Sequence, residues 1–187
     1  MKTIALLTVV TLAGSLLEAQ SQPAAPSKPA ASAPAPTDPL SGGAKAIFGI
    51  TKNDLVKSAA MMSDENYAFK PTPDVRSFGQ IIGHVADAQY LFCSVALGEQ
   101  NPKPDIEKTK TKKADLVAAL NDAFAYCDKA YNGMTDAHAS EIVKFFGRDM
   151  AKLSILSFNA AHNFEHYGNL VTYMRLKGLV PPSSGGK

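Results

Sequence analysis

Four long segments with helical spacing of apolar residues divide this chain, and that pattern limits its fold more than any other feature. The segments cover about residues 44–62, 77–98, 111–133 and 150–177. Apolar side chains recur in them at the spacing that places them on one face of a helix. Four such helices, joined by loops that contain Pro and Gly, predict an all-α four-helix bundle.

Local signals indicate where the predicted helices begin and end. Ser77, with Gln80 three residues later, has the capping-box pattern at the start of the second helix. Gly133 and Gly178 suit the ends of the third and fourth helices. Residues 136–146 give an ambiguous pattern, which we interpret as a short helix followed by an irregular crossing to the last helix.

The N-terminal residues predict export from the cytoplasm. Lys2 precedes an apolar stretch over residues 4–17, and Leu17-Glu18-Ala19 offers a small-residue cleavage site. The stretch is too short to span a bilayer comfortably, so we interpret residues 1–19 as a signal peptide. A retained N-terminal anchor is the alternative. With cleavage, the mature protein is expected in the periplasm or the medium, without stable membrane insertion.

The remaining residues predict a linker, one domain and a short tail. Residues 20–43 are rich in Pro, Ala and Ser and cannot bury enough apolar surface to offset the entropy of ordering. We therefore expect a disordered, extended linker there. Residues 44–182 suit a single domain, and residues 183–187 are expected to form a flexible tail.

The charge pattern gives no reason to expect nucleic acid or an anionic membrane as a partner. The formal net charge is only +2. The densest basic run, residues 108–113, is flanked by Asp105, Glu107 and Asp115, as expected of a solvated loop and helix start. The expected partner is a small-molecule substrate of unknown identity, and the sequence leaves a homodimer open.

The two cysteines lie in different predicted helices. An exported protein meets an oxidising compartment, where a bridge between Cys93 and Cys127 would join the second and third helices. The alternative is a pair of buried thiols that act as small apolar residues. No Cys-x-x-Cys motif is present, which argues against a redox site.

Three of the four histidines have the arrangement expected of metal ligands. His162 and His166 are four residues apart in the last predicted helix, so their side chains share one helix face. His84 lies in the apolar second helix. Three imidazoles from facing helices would leave further coordination positions open, as catalytic metal sites do. His138, in a polar stretch, is most simply a surface residue.

Two acidic residues lie close to these histidines along the chain. Glu165 is a base for metal-bound water, a residue that orients a metal ligand, or part of a surface ion pair. Asp87, one turn after His84, either accepts the free N–H of that imidazole or forms an ion pair. Residues 162–166 also spell His-x-x-Glu-His, but no acidic residue follows Glu165 to complete an inverted zinc-protease site.

Aromatic residues near the histidines raise a further alternative. Phe164, Tyr167 and Tyr90 either line a mostly apolar pocket beside the metal or belong to the core.

The order of several motifs resembles the DinB-like (YfiT-like) metalloenzyme superfamily, and the resemblance covers most of the domain. The matching blocks are Phe69-Lys70-Pro71-Thr72-Pro73, Val75-Arg76-Ser77-Phe78-Gly79, Ile82-Gly83-His84, residues 161–168, and residues 173–182. The resemblance implies a four-helix bundle and a divalent ion held by His84, His162 and His166. Zn, Ni, Fe and Co all suit three imidazole ligands.

The resemblance constrains the activity less than the site. Some members of the superfamily are thiol-dependent S-transferases, and a mycothiol-dependent maleylpyruvate isomerase is a related type. Our leading hypothesis is an exported metalloprotein with a hydrolase-like or thiol-transferase-like site. The alternatives are a non-catalytic module that binds a metal or a small ligand, and a metal-free bundle with three core histidines.

Overall fold

The computed structural model describes residues 37–185. The predicted signal peptide and most of the predicted linker lie outside these residues. The elements of the described part are, in chain order, α1 (Pro39–Met61), α2 (Phe78–Leu97), α3 (Ile106–Thr109), α4 (Lys113–Gly133), β1 (Ile142–Phe145), β2 (Arg148–Ala151) and α5 (Lys152–Leu176), with short 3-10 helices at Asp64–Ala68 and Pro182–Ser184.

The four long helices form the predicted bundle. Helices α1 and α2 each pack against both α4 and α5, and their apolar faces meet in one core. The capping box at the start of α2 is formed: the Ser77 hydroxyl accepts from the Gln80 N–H, and the Gln80 side chain accepts from the Ser77 N–H. No helix within residues 37–185 is long and apolar enough to cross a bilayer.

The expectation of an all-α domain is wrong in one place. Strands β1 and β2 form an antiparallel hairpin in which Ile142 pairs with Ala151 and Phe145 with Arg148. The expected short helix followed by an irregular crossing is therefore wrong, because this hairpin precedes the last helix. Its strands have four residues each, and their burial does not alternate cleanly between faces.

The described fold extends into both segments that are predicted to be flexible. Residues 39–43, predicted as linker, form the start of α1. The Asp136 carboxylate, from the segment before the hairpin, accepts the N–H groups of Leu40 and Ser41 at 3.1 and 2.8 Å. In the predicted tail, the Ser183 N–H donates to the Tyr167 hydroxyl at 2.9 Å.

A disulfide joins two helices of the bundle. Cys93 in α2 and Cys127 in α4 are paired, with their Cα atoms 5.3 Å apart. Both residues are fully buried. Of the two possibilities that the sequence left open, the bridge is the one formed.

Candidate metal centre

Two helices bring the three predicted ligands together. His84 lies on α2, and His162 and His166 lie one turn apart on α5. The Nε2 atom of His162 is 3.2 Å from Nε2 of His84 and 3.0 Å from Nε2 of His166. One potential ligand atom from each residue lies within 4.8 Å of the others. The three rings therefore point at a common position.

The spacing of the three rings suits a shared divalent ion better than hydrogen bonds between the rings. A tetrahedral ion with metal–nitrogen bonds of 2.0–2.1 Å would hold neighbouring ligand atoms about 3.3 Å apart. The Nε2 atom of His162 has close contacts to two other Nε2 atoms, yet a neutral imidazole nitrogen offers only one proton or one lone pair. An ion that accepts a lone pair from each ring would resolve this conflict.

A buried polar network fixes the register of α5 against α2. The Gln89 side-chain amide donates to Oδ1 of Asn163 at 2.6 Å, and the Asn159 side-chain amide donates to Oε1 of Gln89 at 3.0 Å. All three residues are completely buried, so a one-residue slip of α5 would leave their amides unpaired. Since Asn163 follows His162, the network also fixes the height of His162 opposite His84.

The environment keeps two of the ligands neutral. Burial, followed by the neighbouring His166 and His84 rings, lowers the pKa of His162 to about 4. Burial and the His84 ring likewise lower the pKa of His166 to about 4. Both imidazole rings are therefore uncharged at neutral pH, with one nitrogen lone pair free, which is the state in which imidazole binds a metal.

The third ligand, His84, is oriented by Glu107, a residue that the sequence analysis did not link to the centre. Glu107, on the short helix α3, places its Oε2 atom 3.2 Å from Nδ1 of His84. Its other oxygen accepts from Nε of Arg76 at 2.8 Å. An Nδ1–H donated to Glu107 leaves the lone pair of His84 on Nε2, the atom that faces the other two rings.

Within residues 37–185, Asp87 has neither of the two roles that the sequence left open, a contact to the His84 ring or an ion pair. Instead of contacting the His84 ring, its two oxygens accept the N–H groups of Ile106 and Glu107 at 2.7 and 2.8 Å. Asp87 thus caps α3 and holds Glu107 in place. Gly83 lets α3 approach so closely, because a Cβ atom there would lie 2.8 Å from Cα of Glu107.

Glu165 lies beside the centre without touching the rings. Its side chain is exposed and lines a cavity of about 270 Å³ together with His166 and Arg76. Within residues 37–185 it forms no ion pair, so the surface ion pair considered for it is not formed. His138 is exposed as expected and contacts Glu141.

The apolar cavity beside the centre is lined by aromatic residues other than Phe164, Tyr167 and Tyr90. It has a volume of about 440 Å³, and its wall includes His84, His162, Phe92, Phe146 and Phe158.

Of the two alternatives that the sequence left open for Tyr90, Tyr167 and Phe164, the core is correct for Tyr90 and Tyr167. Tyr90 is buried and lines a separate cavity with Lys103, Tyr167 is buried, and Phe164 is exposed on α5.

The sequence matches the model of the DinB superfamily over residues 48–170. That match includes all three histidines and most of the bundle. The chain therefore belongs to the DinB superfamily.

Individual relatives agree with this assignment. The uncharacterized protein YjoA of Bacillus subtilis (strain 168) is 25% identical over 133 residues, which are 68% of this chain and 84% of YjoA. A DinB-like protein from Bacillus cereus ATCC 10987 has a similar crystal structure, with a TM-score of 0.67 and 20% identity over 75% of this chain and 95% of that chain. The mycothiol-dependent maleylpyruvate isomerase shares the fold, with a TM-score of 0.58 and 14% identity over 70% of this chain and 60% of the isomerase.

Proposed function

We propose that this chain is an exported metalloprotein in which His84, His162 and His166 hold one divalent ion at a hydrolase-like or thiol-transferase-like site. The observation that carries the proposal is the convergence of the three Nε2 atoms, with separations of 3.2 and 3.0 Å around His162. The membership of the DinB superfamily supports it.

The donor set suits Zn, Ni, Fe or Co. Such an ion, when bound, supplies a Lewis acid that activates a water or a thiol. Neutral ligands leave the full charge of the ion available for this purpose. The name of one structural neighbour, a mycothiol-dependent isomerase, supports the thiol branch of the proposal.

The protein residues around the centre have separate tasks. Glu107 holds the His84 ring in the tautomer that presents Nε2. The apolar cavity at His84 and His162 gives a substrate access and limits water beside the reacting group. Glu165 is the proposed proton acceptor, since it shares a cavity with His166 and no described residue engages its carboxylate in an ion pair.

Elemental analysis of protein purified without a His tag tests the centre. We expect about one divalent ion per chain, because a three-histidine site holds a single ion. His166→Ala should lose the ion, whereas His138→Ala, which removes an exposed imidazole outside the centre, should retain it. A wild-type protein that stays metal-free after reconstitution with Zn, Ni, Fe and Co would contradict the proposal and favour a bundle with three core histidines.

A second measurement separates a catalytic ion from a structural or merely bound one. Metal-loaded protein is screened with ester substrates for hydrolysis and with thiol–electrophile pairs for transfer. A catalytic ion predicts that His162→Ala abolishes both the bound metal and the turnover while the helical circular dichroism persists. Unfolding of His162→Ala would indicate a structural ion, and bound metal without turnover in any screen would favour the non-catalytic module.

A further inference from the structure

The tip of the β-hairpin holds a bulky residue in an unfavourable backbone conformation. Phe146 has φ of 48° and Gly147 has φ of 77°, and these two residues alone connect β1 to β2. Two-residue turns with positive φ at both positions favour Asn or Asp followed by Gly. Gly147 fits this rule, whereas a Phe with positive φ is an outlier of the kind found at functional sites.

Burial in the core does not compensate for this strain. Phe146 is 75% exposed, more than any other large apolar side chain within residues 37–185. The preceding Phe145, in contrast, is only 6% exposed. A ring that is three-quarters exposed gains little from burial to offset the strain of this turn, so its presence calls for another explanation.

Phe146 connects to the metal centre through a series of aromatic contacts. Its ring centroid is 4.1 Å from that of Phe145, which is 5.5 Å from Phe92, and Phe92 is 5.4 Å from the His162 ring. Phe158 on α5 joins this group at 5.3 Å from Phe92. The hairpin thus places an exposed ring on the wall of the cavity that His84 and His162 also line.

We infer that Phe146 is a specificity-determining residue, and that with Phe92 and Phe158 it forms a subsite for an aromatic ring of the substrate. The inference rests on the proposed function for the reacting end of the substrate, which lies at His84 and His162. The cavity volume of about 440 Å³ has room for a ring beside a small reacting group. The exposed rings of Phe146 and Phe158 can meet an incoming ring in edge-to-face or offset contacts, and the buried ring of Phe92 forms the wall behind them.

The variant Phe146→Asn tests this inference because it separates binding from stability. Asn followed by Gly147 is the preferred sequence for this turn, so the melting temperature should stay the same or rise. The probes are imidazole and phenylimidazole, titrated by calorimetry into metal-loaded protein. We expect unchanged imidazole affinity and a loss of about 5–10-fold for phenylimidazole, the size of one aromatic contact.

Phe164→Ala is the matched control. Phe164 is also a half-exposed ring, on the same helix as Phe158, but it does not line this cavity. We expect Phe164→Ala to bind both probes as the wild type does. A ratio of phenylimidazole to imidazole affinity that is the same in Phe146→Asn and in the wild type would overturn the inference.

A metal-independent measurement distinguishes failure of the subsite from failure of the metal centre. Anilinonaphthalene sulfonate, which fluoresces in apolar sites, is added to chelator-treated wild type, Phe146→Asn and His166→Ala. His166 does not line the apolar cavity, so His166→Ala should keep the wild-type signal while losing the metal. Phe146→Asn should lose most of that signal. An unchanged signal in Phe146→Asn would overturn the subsite, whatever the metal analysis shows.

Light scattering tests a competing explanation for the exposed ring, a contact between two copies of the chain. The inference expects the same mass for wild type and Phe146→Asn across a wide range of concentration. A wild-type dimer that Phe146→Asn dissociates would assign the ring to an interface and overturn the subsite.

Discussion

The Glu107 carboxylate links the metal ligand His84 to Arg76 through its two oxygens. One oxygen faces Nδ1 of His84 and the other accepts from Arg76, so both ends of the carboxylate are engaged. Its side chain is 22% exposed, which limits competition by water. A carboxylate that orients an imidazole also raises the basicity of the nitrogen on the far side of the ring, and this strengthens metal binding.

Replacement of Glu107 by Gln should therefore weaken metal binding without unfolding the protein. We expect the metal affinity to fall by about 10–100-fold, as is usual for the loss of such a partner. Competition with a chromophoric chelator measures the affinity. Glu165→Gln is the matched control, because it makes the same substitution beside the centre at a residue that has no hydrogen bond to the three rings. Equal losses in the two variants would show that general charge, rather than orientation of His84, explains the effect.

The histidines were predictable from sequence, but their orienting carboxylate was not. The i, i+4 spacing of His162 and His166 and the apolar residues around His84 are local features of the sequence. Such features determine which side chains share a helix face without reference to the rest of the fold. Glu107 is 23 residues from His84 and reaches it only because α3 packs onto α2. Sequence proximity favoured Asp87, which instead accepts two backbone N–H groups of α3.

The lowered pKa values of His162 and His166 predict how the metal-free protein responds to acid. Both groups have a pKa of about 4 when folded, below the ordinary value of 6.5. The unfolded chain therefore binds more protons between these values, and stability falls as the pH decreases from 6.5 towards 4. Thermal melts of chelator-treated protein across this range measure the effect.

Substitution of both rings provides the control for that titration. The double variant His162→Ala, His166→Ala should lose most of the pH dependence between 6.5 and 4 because the two groups that gain protons on unfolding are gone. His138→Ala, which removes an exposed ring, should keep the wild-type profile. An unaltered profile in the double variant would assign the acid sensitivity to other groups.

At the scale of elements, the contact between α2 and α3 determines the geometry of the centre. Helix α3 has only four residues and would not be stable alone. Asp87 caps it from α2, and the missing side chain of Gly83 lets its backbone come close to His84. The position of Glu107 is therefore a property of this helix pair.

Gly83→Ala should displace α3 and weaken metal binding. The new Cβ would lie 2.8 Å from backbone atom Cα of Glu107, which cannot move aside as a flexible side chain could. We expect a lower melting temperature and a loss of metal affinity in the same chelator competition. Gly49→Ala is the matched control: Gly49 is inside α1 with nothing within 4 Å, so this variant should gain about 0.5–1 kcal/mol from helix propensity.

A stabilising effect of Gly83→Ala, equal to that of Gly49→Ala, would show that α3 adapts without cost. That result would also mean that the close approach of α3 does not determine the position of Glu107.

The long helices were predictable because each repeats its apolar spacing over five or more turns. The short elements were not predictable from the sequence. Strands β1 and β2 have four residues each, too few for a period-two pattern to stand out beside helices. The composition of the first residues of α1 is typical of a linker. The residue that caps them, Asp136, is about ninety-five positions away, so no nearby signal marks the start of the helix.

At the scale of the whole molecule, the disulfide connects the bundle to the proposed compartment. The bridge between Cys93 and Cys127 closes a segment of 34 residues that includes α3. A buried bridge of this kind persists in oxidising compartments and is rare in the cytosol. The pairing therefore supports export, which the N-terminal sequence predicts independently.

The location of the protein and the state of its cysteines should change together. We expect the full chain, expressed in a bacterium, to be recovered outside the cytoplasm without residues 1–19 and with the bridge formed. A chain without residues 2–19 should stay in the cytoplasm with both thiols reduced. Intact mass spectrometry after alkylation, with and without reductant, reads both the cleavage and the bridge.

Stability measurements complete this test because the bridge acts mainly on the unfolded chain. Reduction of the exported protein should lower the free energy of unfolding by about 2–4 kcal/mol. The double variant Cys93→Ala, Cys127→Ala should have the lower stability from the start and should not respond to reductant. A full chain that is recovered from the cytoplasm with its first 19 residues retained would contradict export. The bundle and its histidine centre would then belong to a cytosolic protein, in which a reduced Cys93–Cys127 pair must be accommodated in the same core.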